Sequence, residues 1–379
     1  MIKPIIVLFL MLSSFKAFTQ INKIDTISFS LDNKLLVFKA SINDTEVDFA
    51  FDTGASLGLS NSSIQSSTGL IVKNGSQTIT DANLKRIKIN NTVIKKMQIG
   101  SHLIDNIKGA IYDMELLTCH KFYLLGMDVI GRLNWKIDFN KQQILVSKNP
   151  FPTNNYHIEI PVSNTSHRPK TSLVINGINY PNCLIDLGYT GSITISENEH
   201  LNKLYQQILG TGKSGLSLNS NMSVTGLGKA DTVKTIQLDK IKMGQYDFNL
   251  VNTTVYEKTD FKIGIEFFST QTKELILNHT TGKYYIEPKI NSEPLTLPLD
   301  ARVSYQEGKL LVTALNLNKN SSAKQLSIGE TIKSINGKQA SDFNDNCQFL
   351  LEFYHTKKTS IQIEKLDGTL VTIQRSTLE

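Results

Sequence analysis

The stretch VDFAFDTGASLGLS, residues 47–60, alternates apolar and polar side chains until it reaches Asp52-Thr53-Gly54. Such alternation predicts a strand with one buried face, and this strand delivers a carboxylate at its end. One interpretation is a hairpin in which Asp and Gly only serve the turn. The other is half of a site in which two carboxylates flank a reactive water. The choice depends on whether a second carboxylate is delivered in the same way.

An internal repeat supplies that second carboxylate. Residues 172–196, SLVINGINYPNCLIDLGYTGSITIS, repeat the pattern of residues 35–60: a strand, a short turn, an apolar strand and then Asp-x-Gly. The carboxylate of the second copy is Asp186, and its glycine is Gly188. The repeat favours a paired site over a lone turn.

The two copies also close alike, since residues 122–146 parallel residues 261–286. Asp52 precedes Gly126 by 74 residues, and Asp186 precedes Gly264 by 78 residues. Short strands separated by Asn, Gly and Asp turns predict two small β-barrel-like lobes with few helices. The best helix candidate is NEHLNKLYQQIL, residues 198–209.

The repeat resembles a retropepsin-like aspartic protease in a two-lobed, single-chain form. The resemblance covers residues from about 30 to 288 and rests on the Asp-Thr-Gly-Ala-Ser motif of residues 52–56 and on Leu124-Leu125-Gly126. It implies that Asp52 and Asp186 form a catalytic dyad that activates water for peptide-bond hydrolysis. It further implies that Thr53, Gly54 and Gly188 support the active-site loops. A flap candidate lies between each Asp and its later glycine motif: Gly226 and Gly228 in residues 223–233 suit a mobile hairpin over the cleft, whereas the first-lobe counterpart, residues 77–89, lacks glycine. An ordinary surface hairpin is the alternative for each.

The second lobe departs from the family pattern at two points. Leu187 stands where a Thr or Ser would hydrogen-bond to the opposite loop, and Lys262 precedes Ile263-Gly264 where an apolar residue is expected. An alternative function therefore stays open: an inactive, bilobed protein that binds extended peptides without cutting them.

A third pattern begins near residue 291. The segment KLLVTALNLNKNSSAKQLSIGETIKSING, residues 309–337, followed by a helical stretch at 347–355 and two strands joined at Asp367-Gly368, resembles bacterial PDZ modules. Such a small α+β unit, residues 291–379, would bind an extended or C-terminal peptide as an added strand and recruit substrate. We expect it to be separable from the lobes, and a structural cap without ligand is the alternative.

The first residues, 1–19, combine Lys3 with a short apolar run, which predicts a secretory signal peptide. The expected domains are therefore residues 1–19, a first lobe of 20–150, a second lobe of 151–290 and a PDZ domain of 291–379. Export would end in a periplasm or outside the cell. We expect no stable membrane insertion.

Composition limits the kinds of partner and cofactor that we expect. The net charge of +6 is spread along the chain, which argues against nucleic-acid binding. The three cysteines allow at most one disulfide, and the histidines lack metal-ligand spacing, so we expect no metal or other cofactor. Because both Asp-x-Gly loops lie in one chain, we expect a monomer that acts on peptide or protein substrates.

Overall fold

The computed structural model describes residues 23–31, 34–80, 85–114, 119–165, 168–220, 222–223, 226–290, 297–353 and 359–378. The predicted signal peptide lies outside these residues. Strands dominate the described chain and helices are short and few, so the fold class is mainly β as expected. Within the same ranges, every helix is too short or too polar to cross a lipid bilayer.

In the part of the chain that the structure describes, the first lobe is built from short strands and two named helices. Its strands are β1 (Ile24–Ser30), β2 (Val37–Ile42), β3 (Thr45–Phe51), β4 (Gly58–Ser60), β5 (Ile71–Thr80), β6 (Arg86–Ile99), β7 (His102–Ile111), β8 (Phe122–Leu125), β9 (Asn134–Asp138) and β10 (Gln143–Ser147), and its helices are α1 (Ser62–Thr68) and α2 (Met127–Ile130).

The second lobe repeats this order of elements and adds three short strands. Its strands are β11 (Ile158–Ile160), β12 (Ser163–Thr165), β13 (Arg168–Ile175), β14 (Ile178–Asp186), β15 (Ile193–Ser196), β16 (Ser214–Asn219), β17 (Met222–Ser223), β18 (Gly226–Leu227), β19 (Asp231–Met243), β20 (Tyr246–Tyr256), β21 (Lys262–Gly264), β22 (Thr272–Asn278) and β23 (Lys283–Pro288), and its helices are α3 (Glu199–Ile208) and α4 (Ile265–Gln271). The added strands are β12, β17 and β18. Helix α3 confirms the helix predicted over 198–209, and Asn198 caps its N-terminus by accepting from the Leu201 N–H.

Each lobe places its Asp beside the glycine of its later motif by a parallel strand pair. β3 runs parallel to β8 with Phe51 opposite Leu125, and β14 runs parallel to β21 with Asp186 opposite Gly264. Strands that run in the same direction end at the same edge, so the turn after each Asp meets the turn after each glycine. This arrangement explains the nearly equal spacing of the two motifs in the sequence.

One antiparallel sheet joins the two lobes. Its strand order is β11-β23-β22-β9-β10-β1, with three strands from each lobe and β22 pairing with β9 at the centre. Ile137 and Leu275 face one another in this central pair and are fully buried. A single hydrophobic cluster runs through both lobes, from Phe29 to Ile286. The lobes therefore share a core within one chain.

The C-terminal unit, residues 297–378, has its own hydrophobic cluster, which extends from Ala301 to Ile373. Its elements are β24 (Ala301–Gln306), β25 (Lys309–Asn316), β26 (Thr331–Ile335), β27 (Lys338–Gln339), a 3₁₀ turn (Ala340–Asp342), α5 (Asn346–Phe353), β28 (Ser360–Lys365) and β29 (Leu370–Gln374). Four aromatic rings, Tyr305, Phe343, Phe349 and Phe353, pack together between β24 and α5.

This unit is attached to both lobes, and its separability stays a prediction. β25 pairs with β16 of the second lobe, so one sheet continues from the lobe into the unit. A disulfide between Cys119 and Cys347 joins the first lobe to α5. Cys183 is free and buried. The prediction of at most one bridge is in agreement with this pairing, and the domain boundaries stay predictions.

Candidate active site

The two Asp-x-Gly loops meet at the interface of the lobes, each glycine against the opposite carboxyl group. A Cβ atom added to Gly54 would lie 2.4 Å from Asp186 Oδ1, and one added to Gly188 would lie 2.3 Å from Asp52 Cγ. Neither position has room for any side chain. The glycines are therefore required by the close approach of the two loops, and the structure brings Asp52 and Asp186 together.

Corresponding backbone hydrogen bonds also hold the two Asp-x-Gly loops. In the first lobe the Met127 N–H donates to the Ala55 carbonyl over 2.8 Å, and in the second the Ile265 N–H donates to the Tyr189 carbonyl over 2.9 Å. Each acceptor lies three residues after its Asp, and each donor follows its motif glycine. The second half-site thus keeps the backbone geometry of the first, although its sequence departs from the family pattern.

Backbone N–H groups orient both carboxyl groups. Asp52 Oδ1 accepts from Gly54 N at 2.8 Å and from Ala55 N at 3.0 Å, and Asp186 Oδ1 accepts from Gly188 N at 3.1 Å. These bonds fix the side-chain rotamers. The second oxygen of each carboxyl group takes no part in them.

Burial and mutual repulsion perturb the titration of the pair. Burial, followed by the negative charge of Asp186, raises the pKa of Asp52 to about 7. Burial also raises the pKa of Asp186, while Lys262, backbone N–H groups and a side-chain hydrogen bond with Asp52 act to lower it. Two contacting carboxyl groups with raised pKa values hold one proton between them at weakly acidic to neutral pH.

Thr53 connects the two loops through one buried hydroxyl. Its Oγ1 donates to the Ile185 carbonyl at 2.6 Å and accepts from the Leu187 N–H at 2.9 Å. Leu187, at the corresponding position of the second lobe, is fully buried and packs in the main core. The bracket between the loops therefore has one polar arm and one apolar arm, as the sequence predicted.

Lys262 lies directly behind the dyad. Its Nζ is 3.8 Å from Asp186 Oδ2 and 5.0 Å from the centre of the Tyr189 ring, and both partners of the ion pair have 12% exposed side chains. Sequence reasoning recognised Lys262 only as a departure from an apolar motif. The lysine two residues before the motif glycine is a signal in the sequence, but it indicates a position near Asp186 only once β21 is known to pair with β14.

A further buried carboxyl group outside the dyad, Asp128, was missed by sequence reasoning. It follows Gly126 by two residues, and its Oδ1 accepts from the Gly58 N–H at 2.9 Å. Burial raises its pKa to about 6. Asp128 supports the strand after the first loop and is not part of the dyad contacts described above.

The predicted flap residues lie on a separate hairpin. β17 and β18 form a two-stranded ribbon in which Ser223 pairs with Gly226, and Gly228 follows it. The first-lobe candidate, residues 77–89, belongs to the β5–β6 hairpin, and residues 81–84 of it lie outside the described residues. The role of Gly226 and Gly228 over the cleft stays a prediction.

One group of side chains in the described ranges has the spacing of metal ligands: His157, Glu274 and Glu287. Glu274 already pairs with Lys136 at 2.7 Å, and Glu287 pairs with Lys273 at 2.9 Å. Both carboxylates are thus neutralised by lysines. The group is better described as an ion-pair network of the sheet between the lobes.

Comparison with known proteins finds a similarity within the first lobe. Residues 38–132 match the family model described as "gag-polyprotein putative aspartyl protease". The chain is also similar to a retropepsin-like aspartic protease from Rickettsia conorii, at 22% identity and a TM-score of 0.26, over 33% of this chain and 90% of that chain. No curated protein matches. Over residues 38–132 the chain is therefore similar to a family of aspartyl proteases.

Proposed function

We propose that this protein is an exported aspartic endopeptidase whose active site is the Asp52/Asp186 dyad. The observation that carries the proposal is the reciprocal packing of each Asp-x-Gly glycine against the opposite carboxyl group. Two carboxyl groups at contact distance that share one proton supply a base and an acid at the same place. Hydrolysis of an amide requires both.

The reaction would run through a tetrahedral intermediate. The ionised carboxylate takes a proton from a water molecule, whose oxygen forms a bond to the carbonyl carbon. As the carbonyl π bond breaks, the protonated carboxyl group gives its proton to the carbonyl oxygen. The amine nitrogen then takes a proton from the dyad, the C–N bond breaks, and the second hydroxyl proton returns to the dyad as the carboxylic acid product forms.

The C–terminal unit fits a role in substrate recruitment. Its fold combines a sheet with one helix, and its sequence resembles PDZ modules, which bind an extended peptide at a sheet edge. The disulfide between Cys119 and Cys347 supports export to a periplasm or to the cell exterior, because such bonds persist in oxidising compartments. Mapping of this disulfide in protein recovered from an exported fraction would test that part.

A digestion assay tests the proposal. Purified wild type, Asp52→Asn and Asp186→Asn are incubated with a peptide library from pH 3 to pH 8, and products are identified by mass spectrometry. We expect cleavage by wild type and at least a thousandfold loss in either variant, since each removes one partner of the acid–base pair. Asp44→Asn is the matched control, because Asp44 lies in an exposed pair with Lys96.

The alternative function makes the opposite forecast. A peptide-binding protein with a degenerate second half-site would retain peptides without cutting them, and the asparagine variants would bind as wild type does. Substantial activity in Asp186→Asn would reduce the second lobe to a scaffold and overturn the dyad mechanism.

A further inference from the structure

The two half-sites differ in charge although their backbones match. Lys262 and Leu124 occupy corresponding positions, each two residues before the motif glycine and on the strand that runs parallel to the Asp-bearing strand. In the first lobe this position is apolar, and Leu124 packs against a small cluster of the lobe. In the second lobe it places an ammonium group 3.8 Å from Asp186 Oδ2.

The ammonium group is held in place by its surroundings. Only 12% of the Lys262 side chain is exposed, and its Nζ lies over the Tyr189 ring at 5.0 Å from the centroid. A cation over an aromatic face is attracted by the ring, and this contact limits the freedom of the side chain. At the edge of a low-dielectric site, a fixed cation acts strongly on the nearer carboxylate.

We propose, on the basis of the function above, that Lys262 makes the dyad asymmetric: it holds Asp186 ionised, as the base that activates water, and leaves the shared proton on Asp52. Lys262 thus acts through Asp186 as an electrostatic positioning residue. The acid and base roles follow from one side chain that only the second lobe carries.

The other charged and titratable groups around Lys262 do not reverse this bias. Asp52 faces Asp186 from the first lobe, and Arg168 donates to the Gly54 carbonyl at 3.4 Å. Burial, with Tyr256 and Glu266 nearby, raises the pKa of Tyr189, so its phenol stays neutral below pH 10. Burial also raises the pKa of Glu266. Among these groups, the ammonium group of Lys262 is the cation that lies within salt-bridge distance of the dyad.

The sign of the effect on activity follows from these positions. A cation beside Asp186 lowers the pH at which the base ionises, and therefore extends the acidic limb of the activity profile downward. Without Lys262 the acidic limb should move to higher pH by about 1–3 units. The alkaline limb of the activity profile reports loss of the proton from Asp52. It should move less, because the carboxyl group paired with Lys262 is that of Asp186.

The test compares Lys262→Leu, which copies the Leu124 half-site, with Lys262→Arg, which keeps the charge. We expect the acidic limb of kcat/KM to shift upward in Lys262→Leu and to stay near that of wild type in Lys262→Arg. Lys240→Leu is the matched control, because it removes an exposed lysine paired with Asp247 in the same lobe. An unchanged profile in a folded, active Lys262→Leu enzyme would overturn the inference and leave the proposed function intact.

A second measurement does not depend on activity. In protein labelled with ¹³C at the aspartate carboxyl carbons, signals are assigned with Asp52→Asn and Asp186→Asn and titrated by NMR in wild type and in Lys262→Met. We expect Asp186 to ionise first in wild type and the order to be lost in Lys262→Met. Ionisation of Asp52 first in wild type would refute the assignment, whereas absence of cleavage with the expected titration would refute only the proposed function.

Discussion

At the scale of single residues, the second lobe keeps the site together with fewer polar contacts than the first. The Thr53 hydroxyl serves the Ile185 carbonyl and the Leu187 N–H at once, so one side chain satisfies two backbone groups of the opposite loop. Leu187 contributes burial in the core. The two loops are thus joined by one hydroxyl group and one apolar side chain, where the family pattern has two hydroxyl groups.

Thr53→Val should therefore be costly. It keeps the shape of the side chain and leaves two buried backbone groups without a partner, at about 2–4 kcal/mol of unfolding free energy and at least a tenfold loss in kcat/KM. Urea unfolding and a peptide assay measure both effects, with Thr53→Ser as the control that retains the hydroxyl. Wild-type behaviour of Thr53→Val would mean that Thr53 serves only its local turn.

Asp52 should make stability depend on pH. Its pKa is about 7 in the folded protein and about 3.8 when unperturbed, so folding binds a proton between these values. The stability that protonated Asp52 allows is fully present below pH 4 and is lost as pH rises through 7. The free energy of unfolding of Asp52→Asn should therefore exceed that of wild type by roughly 1–4 kcal/mol at pH 8 and match it near pH 4.

Urea unfolding of both proteins at pH 4 and pH 8 measures this difference. Asp44→Asn should show no such pH dependence, since Asp44 is exposed. An equal stability of wild type and Asp52→Asn at pH 8 would contradict the raised pKa.

At the scale of elements, the C-terminal unit pairs with the strand that leads into the β17–β18 hairpin. β16 lies between β19 and β25, and the β17–β18 ribbon follows it directly. The Leu216 N–H donates to Asn318 Oδ1 at 2.8 Å, and the Leu317 N–H donates to the Leu216 carbonyl at 2.7 Å. Without the unit, β16 becomes an exposed edge strand.

Truncation after residue 290 should therefore lower the melting temperature and reduce cleavage even of short peptides. Asn318→Ala should have the same effect to a smaller degree, about 1–3 kcal/mol of unfolding free energy, because it removes the acceptor of the Leu216 N–H and the donor to the Thr377 carbonyl. Lys319→Ala, at an exposed neighbouring position, is the control. A truncated chain with full stability and peptide activity would support the view of a separable module.

At the scale of the whole molecule, the sheet between the lobes provides within one chain the contact that brings two half-sites together. Its two halves, β9-β10-β1 and β22-β23-β11, correspond element by element and meet in the antiparallel pair of β9 and β22. Because this pair lies in a shared core, the dyad does not require a second copy of the chain.

Sedimentation at assay concentration should therefore show a species no larger than the 42.3 kDa of the chain. The rate of cleavage should rise in proportion to protein concentration. A rate that rises with the square of concentration, together with a species of twice the mass, would contradict assembly of the site within one chain.

Sequence alone determined the features that repeat. The two Asp-x-Gly motifs, their nearly equal spacing from Gly126 and Gly264, and the alternation of short strands predicted a mainly β fold and the pairing of Asp52 with Asp186. These are local sequence patterns. In each lobe a parallel strand pair places the Asp loop beside the motif glycine, so the same pattern gives the same geometry.

Tertiary structure decided what depends on contacts between segments far apart in the chain. Such contacts join Lys262 to Asp186, β16 to β25, and Cys119 to Cys347. No repeating pattern in the sequence indicates that these residues meet. The sequence showed Lys262 as a departure from a motif, whereas the fold shows a charge that distinguishes two carboxyl groups. The physical reason is that electrostatic effects depend on distance and burial, which exist only once the chain has folded.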